Sequence, residues 1–195
     1  IVRRGAPGAS VIASGETATA DPLSIRVRKK GAKTEIFLNG KPVKKASELA
    51  TSAPVIVITS HAATLLTEGP GNRRALLDKT MFHVEPDYVE EFKKYRRALR
   101  QRNQLIRGRS LRKIHRAWNE QLILVGEEID RKREDIVLRL NAELKSKAVS
   151  KFFGELYFRY MPGWDREKGY RFCLSQAWEK DAQLGYTTVG PHRAD

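Results

Sequence analysis

Apolar residues spaced three and four apart mark out the longest predicted element of this chain. Leu111, Ile114, Trp118, Leu122, Val125, Ile129, Ile136, Leu140, Leu144, Ala148 and Phe152 keep that spacing with no Pro among them, which predicts one helix from about Ser110 to Phe152. At 1.5 Å per residue it would run on the order of 60 Å, roughly twice the diameter of a small domain, so it would project as an arm or brace two bodies. The same stripe would also serve a core helix of a bundle. A partner lies just upstream, where Tyr88, Phe92, Tyr95, Leu99 and Ile106 fall on one face of a helix opened by Glu85-Pro86. Gly108 breaks the chain between the two helices and Ser110 can cap the second, giving an antiparallel hairpin.

Residues 10–60 carry a different period. Strands are predicted at Ser10 to Ser14, Leu23 to Lys29, Thr34 to Leu38, Lys41 to Lys44 and Pro54 to Thr59. Asn39-Gly40 is a hairpin signal, because a tight type I′ turn needs positive φ at both central residues. Leu23, Ile25 and Val27 alternate with Arg26, Arg28 and Lys30, as in a sheet with one face covered. Val55 to Ile58 is a continuous β-branched run of the kind buried on both faces.

A short helix around Ala62 to Thr67 is followed by a second through Arg73 to Asp78. Beyond the long helix the period returns to two at Leu156, Phe158 and Tyr160, ending at Met161-Pro162-Gly163. A helix from about Arg166 to Gln183 and a strand with its exit across Thr187 to Arg193 complete the pattern. The chain therefore reads as an α/β body interrupted by a helical arm.

Charge changes this picture most. The 195 residues carry a formal net charge of +14, a surplus that favours polyanionic partners, nucleic acid first and an anionic membrane surface second. A membrane helix would need an apolar face without a protein partner, whereas the apolar faces here have partners. No run is long enough to span a bilayer. The lone Cys173 allows no internal disulfide, consistent with a reducing cytoplasm. His61, His83, His115 and His192 lack metal-ligand spacing.

The basic residues are concentrated. Between Phe92 and Asn119 there is no Asp or Glu, while Lys93, Lys94, Arg96, Arg97, Arg100, Arg102, Arg107, Arg109, Arg112, Lys113 and Arg116 crowd the helix, its turn and the start of the next helix. Arginines pair charge with forked donors that match phosphate, so Arg96, Arg97, Arg100, Arg102, Arg107, Arg109, Arg112, Lys113 and Arg116 are the candidates for contact with DNA or an acidic partner. Nothing in the pattern reads a base sequence. Gly69-Pro70-Gly71 ahead of Arg73-Arg74 can cradle an anion, although a plain turn opening a helix explains it more simply. Asp78, Glu85 and Asp87 make no catalytic pair, and no nucleophile and base can be matched.

The order of several motifs resembles the RecF family of bacterial recombination mediators. They are Pro54 to Thr59, Glu68-Gly69-Pro70 with Arg73-Arg74 and Leu77-Asp78, Glu85-Pro86-Asp87-Tyr88, Leu99 to Asn103, Trp118 to Leu122, Arg131 to Leu140, and Thr187 to Asp195. The resemblance covers nearly the whole chain and implies a partial ABC-ATPase-like head at 1–60 and 154–195, interrupted by a helical arm at 61–153. It implies binding of double-stranded or gapped DNA, cooperation with RecR and RecO in loading recombinase, and an ATP-dependent homodimer. ATP and Mg would be cofactors of the intact protein, whose ATPase is weak and DNA-dependent. Location in the bacterial cytoplasm near the nucleoid follows. Gly69, Pro70, Arg73, Arg74 and Asp78 are then assigned to the junction of arm and head. The Walker A loop would precede Ile1, and the signature and Walker B motifs would follow Arg193, so this stretch is expected to bind no ATP alone. At Ser60 to Thr64 the sequence departs from the family, which more often has Pro and acidic residues there.

Overall fold

The computed structural model describes residues 2–17, 19–44, 49, 64–85, 87–108, 115–145, 151 and 156–195. The chain divides into two compact units, Ile1–Ile58 and Thr59–Asp195.

The first unit is a four-stranded antiparallel meander of β1 (Gly8–Glu16), β2 (Pro22–Lys30), β3 (Lys33–Leu38) and β4 (Lys41–Val43), hydrogen-bonded in that order. Val27 lies opposite Val11 and Ile36, and Ile25 opposite Ala13 and Leu38, so the β-branched residues of successive strands share one face. Leu23, Ile25 and Val27 are half-buried, while Arg26, Arg28 and Lys30 on the other face are exposed. The β3–β4 turn has positive φ at Asn39 (47°) and Gly40 (77°), as the type I′ reading requires. Asn39 also pins β2: its Oδ1 accepts the Ser24 N–H at 2.7 Å, and its amide donates to the Pro22 carbonyl at 3.2 Å. The run at Val55 to Ile58 lies outside the described residues.

The second unit is helical. It contains α1 (Thr64–Thr67), α2 (Pro70–Val84), α3 (Tyr88–Arg107), α4 (Arg116–Leu144), α5 (Tyr170–Gln176), α6 (Trp178–Leu184) and a closing 3₁₀ turn, Pro191–Arg193. Helices α3 and α4 form the antiparallel hairpin, with Tyr88 near Arg133, Glu91 near Lys132, and Arg102 near Asn119. Tyr88, Tyr95 and Ala98 of α3 bury against Leu122, Val125, Ile129, Ile136 and Val137 of α4, with Met81 of α2 closing the cluster. Each large apolar side chain buried here stabilises the hairpin by about 1.5–3 kcal/mol. A second cluster joins Ile123 of α4 to Tyr170 and Leu174 of α5, with Trp164 against it.

Several boundaries depart from the sequence expectation. The long helix ends at Leu144, with Lys145 as its cap, so its 29 residues span about 43 Å rather than 60 Å. Ser110, Leu111 and Ile114, and Ala148 and Phe152, lie outside the described residues. Helix α3 begins at Tyr88 behind Asp87, and Pro86, expected to open it, lies outside the described residues. Pro does occupy a first helical turn at Pro70, behind an extended Gly69.

Residues 156–160 form no strand. The Asn141 side chain takes both backbone groups of Phe158, at 2.7 and 2.8 Å, and Met161 pairs with the Asp195 backbone at 2.6 and 2.9 Å, so no ladder develops. The helix predicted from Arg166 starts only at Tyr170. The Asp165 carboxylate caps the Glu167 and Lys168 amides in a turn, and Gly169 follows at φ 80°. The predicted strand at Thr187 to Arg193 is a bend and 3₁₀ turn, because side chains occupy its amides: Asn103 Oδ1 accepts the Thr187 N–H, and Asp181 Oδ1 accepts that of Thr188, both at 2.8 Å.

Candidate nucleic-acid interface

Helix α3 sorts its charges by helical phase. Tyr88, Tyr95, Ala98, Arg102 and Ile106 make the buried face, and Lys93, Arg96, Arg97, Arg100 and Arg107 stand exposed on the opposite side. From Lys93 to Arg107 this basic face runs about 21 Å. Among the described residues, Lys93 pairs with Glu90 at 2.6 Å and Arg96 lies over the Phe92 ring, while Arg97, Arg100 and Arg107 meet no carboxylate. Arg116, the first residue of α4, is exposed at the same end of the hairpin as Arg107. Arg109, Arg112 and Lys113 lie outside the described residues. The basic residues further along α4 behave differently. Lys132 binds Glu91 at 2.7 Å, Arg131 binds Glu128 at 2.5 Å, and Arg139 binds Asp135 at 2.6 Å.

Arg102 does not belong to the exposed set. It is fully buried, and its Nη1 donates to Asp181 Oδ2 at 2.7 Å and Thr187 Oγ1 at 2.6 Å, while Nε donates to Asn119 Oδ1 at 2.8 Å. It ties α3 to α4, α6 and the segment after α6, and is a structural residue rather than a contact residue. Its position explains this: Arg102 follows Tyr88, Phe92, Tyr95 and Leu99 in the same three-and-four register.

The residues expected at the junction gather on the closing segment of the chain. Arg73 grips the Asp195 carboxylate through Nε at 2.5 Å and Nη2 at 2.8 Å, which holds that carboxyl below its ordinary range. Arg74 donates to the Ala194 carbonyl at 2.7 Å. Asp78 accepts from Tyr88 Oη at 2.6 Å and from Arg133 Nη2 at 2.6 Å, and Arg133 continues to the Pro191 carbonyl at 2.7 Å. Gly69 and Pro70 open α2, which carries these side chains. Sequence reading passed over Arg133, although it occupies an α4 stripe position four after Ile129 and three before Ile136.

His192 is held in the same region. Its Nε2–H donates to the Thr187 carbonyl at 2.9 Å, which makes Nδ1 the acceptor for Tyr95 Oη at 2.7 Å. Burial lowers this imidazole from its ordinary 6.5 to about 4. The unfolded chain therefore binds the extra proton between those values, and the folded chain refuses it. Stability from this group is complete above pH 6.5 and is lost as pH falls toward 4, by about 3 kcal/mol in all. Urea unfolding at stepped pH should show that slope in the wild type and a flatter one in His192→Asn; equal slopes would contradict it.

Among the described residues no group of three or more His, Cys, Asp or Glu is placed to hold a metal ion, and no helix is long and apolar enough to cross a membrane. No family model matches the chain. It is 32% identical over 176 residues to the DNA replication and repair protein RecF of Vibrio cholerae, covering 89% of this chain and 48% of that protein. It is 33% identical over 176 residues to that of Aliivibrio fischeri, with the same coverage. The chain belongs to the RecF family. It spans about half the length of the curated RecF relatives it matches. The fold agrees: a structure described as the recombination mediator protein RecF-ATPrS in the RecFOR pathway superposes with a TM-score of 0.79 at 20% identity, over 95% of this chain and 54% of that one. A RecF-ATP structure superposes at 0.74 and 21%, with the same coverage. The mixed sheet-and-helix architecture thus matches part of a RecF structure.

Proposed function

We propose that this chain supplies part of the head and the helical arm of a RecF-type, DNA-binding recombination mediator, with the exposed basic face of α3 contacting DNA phosphates. Residues 1–60 and 154–195 are assigned to the head and 61–153 to the arm. Arg73, Arg74 and Asp78 order the junction through Asp195, Ala194 and Arg133. ATP and Mg belong to the intact protein, which acts as an ATP-dependent dimer with RecO and RecR at single-strand gaps in the bacterial cytoplasm.

The observation that carries this reading is the separation of charge on α3, where Arg97, Arg100 and Arg107 are exposed without described carboxylate partners. Guanidinium groups left in water along one helix face attract a polyanion and release its counterions on binding. The triple variant Arg96→Glu, Arg97→Glu, Arg100→Glu should lose about thirtyfold in affinity for a gapped duplex, and its log–log salt slope should shrink by about three units. Fluorescence anisotropy across a salt series measures both. Unchanged affinity and slope would reject the α3 face as the DNA surface.

The alternative is a docking arm for RecR, with DNA held elsewhere on the intact head. Leu124 and Leu138 of α4 favour it: they are 74% and 62% exposed and share one helix phase. On that reading the same variant keeps DNA affinity and loses RecR.

A further inference from the structure

We infer that the basic face of the β1–β4 meander is a second surface for the DNA backbone, on which the row Arg26, Arg28 and Lys30 of β2, with Lys33 of β3 beside it, takes phosphates of one strand. The inference rests on the reading of the chain as DNA-binding and names a surface separate from α3, within the other compact unit.

The register of the sheet builds this face. Arg26, Arg28 and Lys30 alternate with Ile25, Val27 and Lys29 along β2, so all three share the side opposite the apolar residues, and all three are exposed. Lys33 lies directly across from Lys30 on β3, and Glu35 across from Arg28. Like charges set opposite one another cost stability, so the Lys30–Lys33 pair holds charge together against local preference, as a face that receives an anion requires. Glu35 is shared between Lys33 at 2.8 Å and Arg28 at 4.0 Å, and these cations, Lys33 foremost, hold it below its ordinary carboxylate range. Among the described residues, Arg26 and Lys30 make no ion pair. The patch therefore stays strongly cationic. Arg28 is steered by the Phe37 ring, whose centroid lies 5.9 Å from its guanidinium.

Spacing selects the ligand. Side chains two residues apart on one face of a strand stand about 6.6 Å apart, and two nucleotide steps of one DNA strand advance about 6.8 Å along the duplex axis. The row of three therefore matches every second phosphate. A cavity of about 300 Å³ at the Lys30 end of the row is bordered by Gly8, Ser10, Arg28, Lys29 and Lys30, with no carboxylate in its lining. It gives a phosphate room beside three cations, and Ser10 offers a hydroxyl donor. An acidic peptide fits this face less well. Extended peptides are held by main-chain hydrogen bonds to a free sheet edge, whereas β2 is paired on both sides, to β1 and to β3, so it offers only side chains.

The test uses the whole chain and a blunt duplex, with fluorescence anisotropy across a salt series and lysine acetylation read by mass spectrometry. Arg26→Gln, Lys30→Gln should weaken binding about tenfold at low salt and shrink the log–log slope by about two units. The charge-keeping variant Arg26→Lys, Lys30→Arg should hold the wild-type slope, which separates charge from folding. Bound duplex should slow acetylation of Lys30 and Lys33 in the wild type, a readout that needs no variant. Wild-type slope in Arg26→Gln, Lys30→Gln, with both lysines acetylated as fast as without DNA, overturns this inference and leaves the α3 reading intact. A smaller slope in that variant, with Arg96→Glu, Arg97→Glu, Arg100→Glu binding as wild type, supports it and removes the α3 reading. Protection of the lysines by pyrophosphate but not by duplex overturns it in favour of a free phosphate ligand. Protection by polyglutamate alone overturns it in favour of an acidic protein. Absence of duplex binding at low salt removes both readings.

Discussion

Arg102→Met should destabilise the helical unit by about 3–5 kcal/mol, the range for removing one member of a buried ion pair. Both partners of the pair are fully buried, and the Arg102 side chain meets three separate acceptors, on Asp181, Thr187 and Asn119. Removing the guanidinium leaves the Asp181 carboxylate without its counter-charge in a low-dielectric setting, and that penalty outweighs the packing Met restores. The double variant Arg102→Met, Asp181→Leu should recover only part of the loss. Asp181 Oδ1 also accepts the Thr188 N–H at 2.8 Å and hydroxyl at 2.7 Å, and a leucine side chain in its place leaves both donors without an acceptor. Urea unfolding followed by far-UV circular dichroism reads the change. A loss under about 1 kcal/mol, accompanied by weaker DNA binding, would return Arg102 to the set of contact residues.

Arg133→Met should cost a similar amount, about 3–5 kcal/mol, by a different route. Arg133 is a hub rather than half of a pair. It reaches Asp78 of α2 through Nη2 at 2.6 Å and Nε at 3.1 Å, Tyr88 Oη of α3 at 2.9 Å, and the Pro191 carbonyl at 2.7 Å. The methionine side chain leaves a mostly buried carboxylate, a phenol that burial already pushes upward in pKa, and a carbonyl with one fewer donor. Because these acceptors lie on three elements, thermal unfolding should also become less cooperative. Amide exchange should accelerate first in Pro191–Arg193 and its neighbours. Asp78→Asn should show a milder version, since Asn keeps an acceptor but loses the charge. Wild-type stability and exchange in Arg133→Met would mean that α2 and the closing turn are held by apolar contacts and by Arg73 and Arg74, without Arg133.

The elements that could be read from the chain were those stabilised by local periodicity. The β1–β4 meander depends on alternation and on Asn39-Gly40. The α3–α4 hairpin depends on stripes whose members, from Tyr88 to Ile106 and from Leu122 to Ile136, meet each other, with Met81 of α2 closing the cluster. The errors fell where side chains displaced backbone partners. Residues 156–160 and 187–193 have strand-like patterns, but Asn141, Asn103 and Asp181 occupy their amides, and no stretch of local sequence announces a side chain arriving from elsewhere. The basic stretch on α3 was legible as a concentration of charge and not as a surface. Composition counts Arg102 with Arg100, whereas helical phase, read with equal weight, sets them on opposite faces.

The sequence by itself determined the meander, the helical hairpin and the net positive charge, because each of these is a property of spacing or composition along the chain; the family came from the resemblance of its ordered motifs. The tertiary structure decided which arginines remain in water and which are structural. That choice depends on whether a carboxylate distant in sequence is brought within hydrogen-bond reach: Asp181 stands 79 residues from Arg102, and Asp195 stands 122 from Arg73. A guanidinium is stable in the interior only when such a partner accompanies it, and only packing of α2, α6 and the closing segment onto the hairpin supplies one.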